Sequence, residues 1–139
     1  MARNRPLART DGVLTEDVDD EVITYDERTD VACRLNRTAA LVWRKCDGKH
    51  TVEDLVRVLE ADLGDIADED LVLVSLDYLS EHRLLESGYT RRDETSSQLS
   101  RRRFIQGAGA VGVAAAALPM VQSIVAPTPA AALSVITGY

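Results

Sequence analysis

The chain contains few of the side chains from which metal sites are built. Of its 139 residues only two are cysteine and two are histidine, and aromatic residues make up 4%. Cys33 and Cys46 form no CxxC pair and lie in no Cys/His cluster, whereas zinc requires a close array of about four ligands. We therefore predict two buried, cytosolic thiols, and the sequence leaves a disulfide between them open.

The sequence also lacks the motifs on which catalysis usually depends. It has no Gly-rich phosphate loop and no convincing Ser/His/Asp or Cys/His set. His50 lies in a connection between two predicted helices and His82 near a helix end, where surface positions are the ordinary expectation. We predict that the protein is not an enzyme and needs no metal and no cofactor.

Acidic residues are missing from the last third of the chain. Residues 1–94 carry 13 Lys and Arg against 23 Asp and Glu, a net charge of −10, whereas residues 95–139 carry three arginines and no acid. An acidic body does not suit contact with phosphate backbones, which requires clustered Lys or Arg. The charge pattern therefore divides the chain into two different parts.

The first part begins with strands. Residues 1–10 are basic, lack an apolar run and predict a disordered tail. Glu21–Tyr25 alternates and is β-branched, Val31–Leu35 alternates as well, and Gly12–Leu14 precedes them, with a turn composition between the two alternating segments. Three such segments with tight connections predict a three-stranded antiparallel sheet.

Three helices follow the predicted strands. Asn36 is a plausible N-cap of a first helix, and Thr51 precedes a second helix with acids in its first turn. Asp70–Leu84 carries the apolar stripe of a third helix. Together these elements predict an α+β, winged-helix-like domain over residues 11–90.

The second part is uncharged over a long stretch. Residues 91–100 are polar and predict a linker. Gly107–Ala126 has no charge over twenty residues, which is long enough to cross a bilayer as a C-terminal hydrophobic helix, although Pro119 and Gln122 interrupt it. We assign residues 101–132 to this hydrophobic segment and residues 133–139 to a short tail.

The segment that joins the last strand to the first helices resembles the signature of the PqqD-like family. The matching elements are Leu35-Asn36, Thr38-Ala39-Ala40, Val42-Trp43 and Asp47-Gly48, followed by Thr-Val-Glu-Asp-Leu at 51–55 and the closing leucines from Leu79 to Leu85. The resemblance covers about residues 11–88. Arg83 departs from the pattern, because the family often places a glycine there.

The resemblance implies a role without chemistry. PqqD-like domains recognise the leader of a ribosomally made precursor peptide and present it to a modifying enzyme, often a radical SAM enzyme. The leader adds as an extra strand beside the third strand and packs against the third helix, a mode of recognition that the unpaired groups of an edge strand favour. Carried onto this sequence, the peptide-binding residues are Val31, Ala32, Cys33, Arg34, Leu35, Leu73, Val74, Asp77, Tyr78 and Glu81.

A second motif is similar to the twin-arginine translocation motif. It consists of Ser100, Arg101, Arg102, Arg103, Phe104 and Ile105, with Gln106 where lysine is usual. The uncharged stretch and Ala130-Ala131-Ala132, an A-x-A cleavage pattern, follow in the order of a signal peptide. The positive flank predicts a cytoplasmic N-terminal domain, with a twin-arginine translocase or the membrane as a further partner.

Several interpretations of the whole chain stay open at this point. The C-terminal segment is either a tether at the inner face of the membrane, an export signal of an accessory protein, or a precursor-like segment that a biosynthetic partner handles. A nucleic-acid-binding winged helix is disfavoured, because the third helix offers Arg83 alone against Asp70, Asp77 and Glu81. We expect no nucleic-acid partner.

Overall fold

A computed structural model describes residues 5–108 and 117–125, and it contains six strands and four helices in those ranges. The bounds are β1 Leu7–Ala8, β2 Val13–Val18, β3 Glu21–Asp26, β4 Val31–Leu35, α1 Arg37–Arg44, α2 Val52–Leu63, α3 Glu69–Glu81, β5 Leu85–Ser87, α4 Glu94–Ala108 and β6 Val121–Val125. This is a mixed α+β fold, as the sequence predicted.

The main sheet has four antiparallel strands in the order β2-β3-β4-β6. The β2-β3-β4 meander is the predicted one, and β3 shows the expected alternation, with Val22 and Thr24 buried. The prediction of three strands was wrong, because Val121–Val125 pairs with β4 as a fourth strand. The valine and isoleucine residues of this segment suit a strand as well as they suit an apolar helix.

Local capping sets the helix starts that the sequence predicted. The Asn36 side chain accepts a hydrogen bond from the Ala39 backbone N–H at the start of α1. Thr51 and Asp54 form a reciprocal capping box at the start of α2. Each cap satisfies backbone N–H groups that the helix itself leaves unpaired.

Helix α3 ends at Glu81, earlier than the predicted Leu84. His82 caps the helix, and Arg83 then adopts a left-handed backbone with φ of 59°. This conformation favours glycine, which is the residue that the family resemblance led us to expect at this position. The turn lets Leu84 point back into the core, where its carbonyl accepts a hydrogen bond from Trp43 Nε1 at 2.9 Å.

The core lies between the sheet and the helices and includes one residue from the predicted translocation motif. Most of its fully buried side chains come from β4 and from α1 to α3, and they include Leu35, Val42, Leu55, Leu59, Leu71, Leu76 and Leu79. Phe104 of α4 belongs to the same cluster and is also fully buried. The core cluster therefore includes a side chain from beyond residue 90.

The segments expected to be irregular are partly ordered. Within the predicted tail, Leu7–Ala8 pairs with β5 and Ala8 is buried. Within the predicted linker, Glu94 begins α4, which packs on α3.

The predicted C-terminal hydrophobic helix does not appear in the described residues. Ala117–Met120 leads directly into β6, and residues 109–116 and 126–139 of the predicted signal and tail lie outside the described ranges. Over those ranges, no helix has both the length and the apolar composition needed to cross a membrane.

Candidate functional site

The predicted peptide-binding edge, β4, is paired along its whole length. Its five residues face β6 in antiparallel register, with Leu35 opposite Val121, Cys33 opposite Ser123 and Val31 opposite Val125. An edge strand presents a row of unpaired N–H and C=O groups, and an added strand satisfies them. The strand that occupies this edge belongs to the chain itself.

Asn36 fastens the segment that leads into β6. Its side-chain nitrogen donates to the Leu118 carbonyl at 2.8 Å, and its side-chain oxygen accepts from the Met120 N–H at 3.0 Å. Its backbone N–H donates to the Met120 carbonyl at 3.0 Å. The N-cap residue of α1 is thus also a clamp for the C-terminal segment, because one amide side chain carries both a donor and an acceptor.

A cavity of about 210 Å³ lies where β3, β4 and β6 meet the end of α3. Thr24, Cys33 and Ser123 line it from the sheet, and Glu81–Leu84 lines it from the helix end. An apolar cavity of about 150 Å³ is large enough to hold benzene. The cavity below Ser123 therefore has room for a large side chain from whichever strand lies beside β4.

The carboxylate of Asp77 is saturated by groups from the segment that follows the third helix. It accepts hydrogen bonds from the Tyr89 hydroxyl, the Arg92 backbone N–H, the Arg92 guanidinium and the Ser97 hydroxyl, at 2.6 to 3.1 Å. Burial alone would raise the pKa of Asp77, but the hydrogen bonds from Arg92, Ser97 and Tyr89 outweigh it and hold that pKa below its ordinary value. Asp77 therefore fastens α4 to α3.

The other predicted residues of α3 take different positions. Glu81 lines the cavity beside Val31 and Cys33, so the structure brings these three predicted residues together. Val74 is buried, and the half-buried Tyr78 accepts a hydrogen bond from Arg101 at 3.2 Å. Leu73 is half-buried at a separate pocket that Tyr89 also lines. The predicted residues on α3 and those at its end are thus divided among the cavity at the sheet, the contact with α4 and this separate pocket.

The residues of the translocation-like motif lie on α4. Ser100 and Phe104 are fully buried, and Ser100 accepts a hydrogen bond from Arg92 at 2.8 Å. Arg101, Arg102 and Arg103 are exposed, and Arg103 forms an ion pair with Asp70 at 3.2 Å. The motif is therefore folded against α3, and two of its six residues are inaccessible in this conformation.

The cysteines are free and buried, as predicted. Burial raises the pKa of Cys46 to about 12. Burial also raises the pKa of Cys33, while the hydroxyls of Ser123 and Thr24 act in the opposite direction. Across residues 5–108 and 117–125, no three His, Cys, Asp or Glu side chains are grouped so that they would hold a metal ion.

Sequence reasoning missed three parts of this site: strand β6, Arg92 and the second role of Asn36. The β-branched residues of Val121–Val125 were the local signal for β6, and the surrounding apolar composition concealed it. Nothing in the polar stretch 91–100 distinguishes Arg92, since its partner lies on another helix.

Comparison with protein families gives a match that covers β3, β4 and the first three helices. Residues 21–85 match the model of PqqD, described as coenzyme PQQ synthesis protein D. Comparison with curated proteins and with solved structures gives no significant match. The family match suggests an accessory, peptide-binding role in the biosynthesis of ribosomally made and modified peptides.

Proposed function

We propose that the domain binds the leader of a ribosomally made precursor peptide by adding it as a strand beside β4. The observation that supports this proposal best is that β4 already holds an antiparallel strand over five residues. Backbone hydrogen bonds of this kind supply affinity for an extended peptide, and side-chain pockets supply selectivity. The cavity lined by Cys33 and Glu81 is such a pocket.

The bound leader would then be presented to a modifying enzyme, for which a radical SAM enzyme is our first candidate. The match of residues 21–85 to PqqD supports an accessory protein that works beside an enzyme. The peptide-binding residues that we propose are those of β4, together with Glu81. Leu73, Val74, Asp77 and Tyr78 would take part only if α4 moved away, because α4 packs on the helix that carries them.

Titration with synthetic leaders of precursor peptides encoded beside this protein tests the proposal. We expect saturable binding at micromolar concentration, with amide shifts along Val31–Leu35. Absence of binding by every such leader, including to a variant with β6 released, would contradict it.

The position of the domain in the cell is a separate proposal. The exposed Arg101–Arg103 supports a cytoplasmic domain held near the inner face of the membrane, because clustered arginines are attracted to anionic lipid. Recognition by a translocase would first require release of Phe104 from the core. Cell fractionation tests this placement: a full-length pool that is entirely free of membrane would contradict the tether.

A further inference from the structure

The occupied edge of β4 raises the question of how a leader gains access to it. Strand addition needs free N–H and C=O groups, and β6 uses those of Val31–Leu35. The peptide site and the C-terminal strand therefore compete for the same backbone groups. Both states cannot exist at once on one copy of the domain.

The two ends of the C-terminal segment differ in how well they are held. Ala117 and Pro119 are buried, and Asn36 clamps the backbone at Leu118 and Met120. Beyond this clamp the side chains contribute less, since Gln122, Ser123 and Ile124 are exposed. Val121, at the start of the strand, packs partly against the core. The strand is held mainly by its backbone.

The cavity below Ser123 shows that β6 fills the site incompletely. Serine is the β6 residue opposite Cys33, and about 210 Å³ of space remains under it. A strand with a large aliphatic side chain at this position would bury more apolar surface against Cys33 and Leu84. Burying apolar surface is favourable in proportion to its area, so such a strand would replace β6.

We propose that Val121–Val125 is a built-in occupant of the peptide site, which a leader with a large aliphatic side chain opposite Cys33 displaces. This inference rests on the proposed function, since it names what that site holds before a leader arrives. Because β6 belongs to the same chain, it competes as an intramolecular ligand, and the effective concentration of such a ligand can reach the order of millimolar. The apparent affinity of a leader is its intrinsic affinity multiplied by the fraction of molecules in which the edge is open.

The test uses the full chain and peptides copied from it. The probes are a synthetic peptide of residues 117–125 and the same peptide with the substitution Ser123→Leu. The full chain is compared with Val121→Asp, which places a charge on the packed face of β6, and with Ile124→Asp, its matched control on the exposed face. Gln122→Pro is a second disrupting variant, because proline weakens a strand without a change in the core.

We expect the Ser123→Leu peptide to bind Val121→Asp and Gln122→Pro at least about tenfold more tightly than it binds the unaltered chain or Ile124→Asp. We also expect it to bind more tightly than the unsubstituted peptide. Equal affinity for all four proteins would overturn the proposal. So would rapid amide exchange throughout β6 in the unaltered chain, or a dimer in which β6 comes from a second copy.

The same variants separate this inference from the proposed function. If the copied peptides bind Val121→Asp and Gln122→Pro but no precursor leader does, β6 is an occupant of the edge and the proposal of leader recognition is wrong. If a leader binds the unaltered chain and Val121→Asp equally well, leader recognition is correct and β6 is not a competing occupant of the site. Amide exchange in α1 to α3 verifies that each variant retains its fold.

Discussion

The guanidinium of Arg92 donates two hydrogen bonds to the Asp77 carboxylate, from Nε at 2.9 Å and from a terminal nitrogen at 2.7 Å. Asp77 is 1% exposed and lies on α3, whereas Arg92 precedes α4. The pair therefore joins the domain that resembles PqqD to the helix that carries the twin-arginine-like motif. The fold of the first part determines where the second part lies.

Replacement of Asp77 by asparagine tests this junction. Removing one partner of a buried ion pair costs about 3–5 kcal/mol, and we expect the lower end of this range because the Arg92 side chain is 23% exposed. Urea denaturation monitored by fluorescence of the single tryptophan, Trp43, measures the change. The matched control is Asp70→Asn, which breaks the more exposed pair with Arg103 and should cost less than about 1 kcal/mol. Equal losses in the two variants would contradict the role of Asp77.

Asp26 predicts a loss of stability in acid. The hydrogen bond from Arg9 and the backbone N–H of Arg28 lower the pKa of Asp26 from 3.8 to about 2. A carboxyl group whose pKa is lower in the folded state stabilises the fold above its unfolded pKa, and this contribution is lost as pH falls. The contribution of Asp26 should therefore be complete above about pH 4 and should vanish as pH approaches 2.

The pH prediction is measured as a difference between two proteins. Other carboxyl groups, among them Asp54 and Asp93, also have lowered pKa values and add their own acid dependence. The urea midpoint of Asp26→Asn is therefore subtracted from that of the unaltered chain at each pH between 2 and 6. A difference that does not shrink toward pH 2 would show that the Arg9 pair does not govern this group.

Arg83 predicts a stabilising substitution. A left-handed backbone costs a non-glycine residue about 1–2 kcal/mol, and glycine relieves this strain. Part of the gain is offset, because glycine also makes the unfolded chain more flexible. We expect Arg83→Gly to raise the free energy of unfolding by about 0.5–1 kcal/mol. Arg83→Ala is the control, because it removes the same side chain and keeps the strained backbone. If alanine stabilises as much as glycine, the backbone is not the cause.

The elements that could be predicted from the sequence are those with local causes. Asn36, Thr51 and the alternation in Glu21–Tyr25 each set an element through neighbours within a few positions. Strand β6 could not be predicted in this way, because its partner β4 lies about ninety positions away and the apolar composition around β6 favoured a membrane segment. The Asp77–Arg92 ion pair could not be predicted for the same reason, since the polar sequence around Arg92 does not indicate that its partner is a buried carboxylate.

The candidate site also contains a part that the sequence predicted and a part that depends on distant partners. The sequence and its family resemblance predicted β4 as a peptide-binding edge and located Glu81 beside it, and both remain predictions for binding. Asp77 was expected to be one of the peptide-binding residues, but its carboxylate accepts hydrogen bonds from Arg92, Ser97 and Tyr89. The sequence alone does not show whether the partner of a carboxylate on a helix face belongs to the same chain or to a bound peptide.

Asn36 predicts a variant that loosens the C-terminal segment alone. Aspartate at this position keeps the oxygen that caps α1, but it cannot donate to the Leu118 carbonyl. We expect Asn36→Asp to speed amide exchange in Val121–Val125 by at least tenfold and to leave α1 nearly unchanged. Asn36→Ala removes both functions, costs about 1 kcal/mol for the cap, and should loosen both elements. Identical exchange patterns in the two variants would contradict the separate clamp.

Cys33 provides a chemical measure of whether β6 has left the edge. The thiolate is the reactive form, and burial raises the pKa of both thiols, so iodoacetamide should modify the unaltered chain slowly at neutral pH. Cys33 lies opposite Ser123 of β6, whereas Cys46 donates a hydrogen bond to the Val42 carbonyl at 3.1 Å within the helical part of the domain.

Release of β6 should therefore expose one thiol and leave the other protected. In Val121→Asp we expect the modification rate of Cys33, followed by mass spectrometry of its peptide, to rise at least about tenfold while that of Cys46 stays constant. Ile124→Asp, with its charge on the exposed face, should behave like the unaltered chain. A parallel rise at both cysteines would mean that the substitution opens the whole core, and an unchanged rate at Cys33 would mean that β6 does not cover it.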